Sequence, residues 1–194
     1  MTRISQFISS TLLIYLLLGF SQTAFSQIGV KRLPDLTKRF CVINSNKKFR
    51  SGNVQRYALT YYTKNQYGQN VMASGLVAIP KRVSSQPSTL FYLHGTASGK
   101  KNAPSMNSFE SRWVGCKVLK QNEILVAPDY LGLGYGQGHH PYMVKDITTS
   151  ASIDFYDVAR RWLMQSFGIY LNPNTTIAGY SQGCLLYTSD AADE

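Results

Sequence analysis

The chain has 194 residues, 44% hydrophobic and 15% charged, enough for one domain with a sizeable core and unlike the composition of a disordered segment. Twenty Lys and Arg against ten acids give a net charge of +10. The basic residues are scattered in pairs such as Lys31-Arg32 and Lys100-Lys101, without the clustering and interleaved aromatics of a nucleic-acid surface. They read as a solvated face, and no nucleic-acid partner is expected.

Residues 1–26, MTRISQFISSTLLIYLLLGFSQTAFS, read as a signal peptide. Arg3 supplies the positive start, Leu12 to Phe20 an apolar core, and Ala24-Phe25-Ser26 the small residues that a signal peptidase reads. That core is far shorter than the roughly 20 residues that span a bilayer, and no later segment is apolar enough for a span. The expected location is secreted or periplasmic, with a mature chain from about Gln27. An uncleaved anchor is the alternative.

From Gln27 to Arg50 the chain is irregular and basic, with RLPDLTKRF as a short helix or turn. VQRYALTYYTKN and VMASGLVAIP, joined by QYGQ, form an antiparallel hairpin. TLFYLHG is a short continuous apolar run, suited to a strand buried on both faces. A polar loop leads to a helix over FESRWVGCKVLKQ, then a second buried strand, EILVAPDY, then the glycine-rich LGLGYGQGHHPYM. From Ser150 to Phe167, Ile153, Tyr156, Ala159, Leu163 and Phe167 recur at helical spacing, with Phe155, Val158 and Trp162 widening the stripe. NPNTT ends that helix, and TIAGYSQG opens the next strand and turn. Strands alternating with helices point to an α/β class with a mostly parallel sheet covered by helices.

Gly179-Tyr180-Ser181-Gln182-Gly183 follows this last strand and matches G-x-S-x-G. In such an elbow the serine sits on a strained strand-to-helix turn, and glycines two positions away on either side make room for it. A serine nucleophile also needs donors for the charge that develops on the attacked carbonyl oxygen. One is the backbone N–H of Gln182, and the loop after TLFYL offers the other at Thr96, following His94 and Gly95. His94 itself reads as structural, because bases in this arrangement follow the serine in the chain.

Three segments in this order, YLHGT, APDYLGLGYG with HPYM, and GYSQG, resemble the α/β-hydrolase superfamily, and more narrowly the secretory lipase family and its bacterial relatives. The resemblance covers about residues 55–183. It implies that Asp129 and its glycines, Gly132, Gly134 and Gly136, shape a loop bordering the cleft, because the triad acid of this fold also follows the serine. His139 and His140 then belong to the cleft wall or the scaffold. Two adjacent histidines without a third ligand make a poor metal site, and no metal or organic cofactor is expected.

After Ser181 only thirteen residues remain, none of them histidine. CLLYTSDAADE, residues 184–194, reads as the one-frame translation of a transposase adapter from sequencing libraries and is expected to be non-native. The family also expects a small residue, usually glycine, where Cys184 stands. Without the tail's three acids the net charge becomes +13. Two cysteines are left, Cys41 and Cys116, which can form a disulfide or remain as thiols, Cys116 on the apolar side of its helix. Residues 27–183 are thus expected to be the N-terminal part of one hydrolase domain.

The function that this reading implies for the intact parent is hydrolysis of carboxylic esters, lipase or esterase in type, through an acyl-enzyme on Ser181. The fragment itself is expected to be inactive. The partner is a small-molecule or lipid ester. A serine peptidase of the same fold is the alternative among enzymes, and a non-catalytic binding protein that kept the fold is the alternative outside them.

Overall fold

Successive side chains of a strand point to opposite faces of its sheet, so a strand apolar throughout demands cover on both sides. The computed structural model of the protein describes residues 28–36, 54–121 and 123–187 and meets that demand with three layers. The expected signal peptide, Cys41 and residues 188–194 lie outside the described residues. The strands are β1 (Gly29–Leu36), β2 (Val54–Lys64), β3 (Asn70–Pro80), β4 (Thr89–Leu93), β5 (Ile124–Pro128) and β6 (Thr175–Gly179). The helices are α1 (Phe109–Gln121), α2 (Lys145–Phe167) and α3 (Gln182–Tyr187), with two short 3-10 turns at Lys100–Asn102 and Pro104–Met106.

The sheet runs in the order β1-β2-β3-β5-β4-β6. The first three strands form an antiparallel meander whose third member pairs antiparallel with β5. Parallel pairing is confined to β5-β4 and β4-β6, the half that alternates with helices. Leu125 and Ala127 of β5, with Leu90 and Tyr92 of β4, pack toward α1 through Val114 and Cys116. Their neighbours Ile124, Val126, Phe91 and Leu93 pack on the other face with Phe155, Val158, Trp162 and Leu163 of α2.

Two local expectations change. RLPDLTKRF gives no helix within the described residues: residues 32–36 belong to β1, an edge strand whose ladder to β2 slips between Leu33 and Leu36, around Pro34. A proline has no N–H to donate and fits such an edge. The Pro34 carbonyl instead accepts from the buried Arg56 guanidinium, at 2.9 Å from Nε and 2.7 Å from Nη2. Burial lowers the Arg56 pKa to about 10.

The second change concerns α2, which starts at Lys145, before Ser150, and stops at Phe167. Its stop is Gly168, left-handed at φ 63°, whose N–H caps the Leu163 and Met164 carbonyls ahead of NPNTT. Its buried stripe is Thr148, Ala151, Ser152, Phe155, Val158, Ala159, Trp162 and Leu163, whereas Ile153 faces outward and the partly exposed Phe167 ring packs on Tyr57 and Trp162. The Phe155 ring fits against β3 because residue 75 is glycine: a Cβ there would collide with the ring.

The chain steps from β4 to β5 on one side and then back across β4 to β6. The loops after β4 and β5 consequently lead to helices on opposite faces. The crevice at the carboxyl ends of such strands is where ligands bind in open α/β sheets.

Candidate active site

Three loops meet at that edge: residues 94–99 after β4, 129–144 after β5, and 180–182 after β6. Ser181 is exposed and adopts φ 50°, a left-handed conformation that costs a non-glycine residue roughly 1–3 kcal/mol. Its turn is held by Gly183 N–H on the Tyr180 carbonyl and Cys184 N–H on the Ser181 carbonyl, each at 2.9 Å. A Cβ on Gly183 would collide with the Leu93 carbonyl of β4, and one on Gly179 would lie 2.7 Å from the Gly183 carbonyl. The two glycines of the motif thus permit one tight strand-to-helix turn, packed against the end of β4.

The same packing brings the β4 loop to the elbow. Tyr180 N–H donates to the Leu93 carbonyl at 3.1 Å, and a Cβ on Gly95 would meet the Tyr180 ring at 2.6 Å. Glu110, on the first turn of α1, accepts from Gly95 N–H at 3.3 Å and from the Tyr92 hydroxyl. Gly95 N–H is thereby engaged. Thr96, the next residue, is exposed, and its hydroxyl lies 3.4 Å from that of Tyr142. Among the described residues no acceptor engages the backbone N–H of Thr96 or of Gln182. Nothing in the sequence singled out Glu110, because its partners lie 15 and 18 positions away and only the fold joins them.

Asp129 is fully buried and faces inward to the scaffold. Ser74 Oγ donates to its Oδ2 at 2.5 Å, the Ser105 hydroxyl donates to the same oxygen, and Ser105 N–H donates to Oδ1 at 2.8 Å. Ser74 Oγ accepts in turn from Tyr135 N–H at 2.9 Å. Burial pushes the Asp129 carboxyl upward, while the serine donors and His94 pull it back. Gly134, left-handed at φ 57°, leaves space for this carboxylate, which a Cβ would strike.

His94 is buried with both ring nitrogens against carbonyls, Gly95 O at 2.6 Å and Asp129 O at 3.1 Å, and it stacks on Tyr130 at 4.1 Å. His140 is half-buried, and burial lowers its pKa. Its Nδ1 lies 3.0 Å from the Leu131 carbonyl, and its Nε2 lies 3.1 Å from Gln182 Nε2. His139 is exposed, and its backbone packs against Gly132, where a Cβ would collide. The structure therefore brings Ser181, Gln182 and the β4 loop together and ties His140 to Gln182, a link absent from any local motif.

No family model and no curated protein matches this sequence at a significant level. Solved structures do. A Legionella pneumophila protein provisionally classed as a hydrolase is 25% identical, with a TM-score of 0.75 over 86% of this chain and 48% of its own. The rice cell wall degrading esterase LipA from Xanthomonas oryzae is 24% identical, with a TM-score of 0.71 over 85% of this chain and 45% of its own. Candida antarctica lipase A in its closed state is 18% identical, with a TM-score of 0.60 over 86% of this chain and 38% of its own. The chain spans about half the length of the first two structures. Strand order, elbow and these likenesses together make the chain a protein of the α/β-hydrolase fold.

Proposed function

We propose that the full-length protein is an exported serine hydrolase of carboxylic esters, of lipase or esterase type. The observation that carries this reading is Ser181 held at φ 50° at the carboxyl edge of the sheet, between glycines that admit no side chain. Strain of this kind persists where the surrounding structure enforces it, and it projects the hydroxyl from the turn. In this reading Ser181 Oγ attacks the acyl carbon, and the N–H groups of Thr96 and Gln182 receive the oxyanion. A histidine and an acid from sequence beyond Ser181 move the proton, and water then releases the acyl group. Residues 184–194 remain proposed as non-native, and the 194-residue chain as inactive. Export rests on residues 1–26, which lie outside the described residues.

A fluorophosphonate probe tests this. It should label the full-length protein at Ser181 and miss Ser181→Ala, whose kcat for an acyl ester should fall by about a millionfold, with unchanged stability. An unlabelled wild type would favour a non-catalytic binding protein, and a preference for peptide amides would favour a peptidase.

A further inference from the structure

The loop after β5 contributes a polar side chain, His140, that this mechanism does not use. A carbonyl oxygen can only accept, so the 3.0 Å contact with Leu131 O assigns the ring proton of His140 to Nδ1. Nε2 is left with its lone pair, which faces the amide nitrogen of Gln182 at 3.1 Å. Gln182 is only 4% exposed, and its Oε1 is buried without a hydrogen-bond partner among the described residues. The Gln182 side chain is thus anchored through its nitrogen, onto His140. The opposite orientation of the amide would require His140 to carry protons on both nitrogens, which burial opposes.

The ring is held in turn. Tyr130 lies parallel to it at 6.1 Å and Tyr142 meets it edge-on at 6.0 Å. Gly132, with φ 73°, leaves room for the backbone of His139 and His140. Gln182 is the residue directly after the strained Ser181 and the first residue of α3.

We propose that His140 is a positioning residue for ester hydrolysis: by accepting the Gln182 side-chain N–H it fixes residue 182 and so aims the Gln182 backbone N–H at the developing oxyanion. The inference rests on the reading of Ser181 as the nucleophile. It also accounts for two otherwise unassigned features, the histidine of HPYM and the glutamine of GYSQG, by a single contact between them. A donor shifted by about 1 Å can lower a rate on the order of a hundredfold, so a side-chain anchor at this residue matters to turnover more than to binding.

Steady-state kinetics of the full-length protein on an acyl ester test this, with His140→Leu, Gln182→Leu, the double variant and His140→Gln. Each leucine variant should lose about 10- to 100-fold in kcat, with KM within about twofold of wild type. The double variant should be no slower than the worse single variant, because both polar partners are then gone together. His140→Gln, which restores an acceptor of similar reach, should recover most of kcat. Unchanged kcat in His140→Leu, losses that multiply in the double variant, or a His140→Gln as slow as His140→Leu would each overturn the proposal. Should His140→Leu fail to fold, a near-normal His140→Gln beside an impaired Gln182→Leu supports the proposal, and a normal Gln182→Leu overturns it. Fluorophosphonate labelling of wild type at Ser181 separates the two levels: labelling with normal leucine variants removes only the role of His140, and its absence removes both readings.

Discussion

Ser181 and His140 show two ways in which a residue departs from what its type prefers. Ser181 holds a left-handed backbone because Gly179, Gly183 and the Leu93 carbonyl leave the turn no other course. His140 holds a neutral ring because burial disfavours its cation more strongly than its contacts with Leu131 and Gln182 favour it, and its electrostatic interaction with nearby His94 adds to the depression. The sign of the resulting pH dependence follows from linkage. With the folded pKa below the ordinary 6.5, the unfolded chain binds the proton first as pH falls. Stability contributed by neutral His140 is therefore complete above pH 6.5 and declines as pH drops from there to the folded pKa. Urea unfolding of the full-length protein across that window should show the decline, and His140→Gln should flatten it. A wild type and variant with parallel pH profiles would contradict the assignment of a neutral ring.

Among the elements, β6 stands apart. It pairs only with β4 among the described residues, and Ile177 on it is 46% exposed. Its β-branched run, Thr175-Thr176-Ile177, presents an unpaired ladder beside an apolar side chain, the combination that templates strand addition. The 194-residue chain produced by itself should therefore self-associate as its concentration rises. Ile177→Lys should weaken that association by placing a charge on the edge. Light scattering over a concentration series reads this directly, and a monodisperse monomer at high concentration would refute it. The edge strand β1 is protected differently: Pro34 interrupts its ladder, and Lys31 and Arg32 cover the Tyr135 and Tyr57 rings, with cation-to-centroid distances of 5.2 and 4.7 Å.

At the scale of the whole molecule, the two helical layers are secured unequally. On the α2 face, a 23-residue helix packs its aromatic residues into the sheet, and the Tyr61 hydroxyl donates to the Ala151 carbonyl at 2.6 Å. On the α1 face, Cys116 is buried and disulfide-bonded, whereas Cys184, on α3, is an exposed thiol. Cys41 is the proposed partner of Cys116, and the bond would close a loop of about 75 residues, worth roughly 4 kcal/mol in the chain-entropy view. Peptide mapping of the non-reduced protein should recover Cys41 joined to Cys116, and reduction should lower the unfolding midpoint. Free thiols at both positions would rule this out.

Much of this architecture was legible in the chain itself, because its signals are local. The apolar runs of β4 and β5, the hairpin turn at QYGQ, the period of α2 and the glycine spacing around Ser181 each state a backbone geometry within a few residues. So does the order of strands and helices, which sets the class of the fold. Other features depend on residues far apart in sequence. Whether Pro34 ends a turn or interrupts an edge strand depended on Arg56, 22 residues away, reaching its carbonyl. The buried side of α2 was set by the sheet it lands on, which left Ile153 outside and drew Thr148 and Ser152 in. Glu110 reached Gly95 and His140 reached Gln182 only once three loops had been gathered at the ends of β4, β5 and β6. Local spacing can specify a turn or a period, but a hydrogen bond between side chains 42 residues apart exists only after the sheet has fixed the distance between its strand ends.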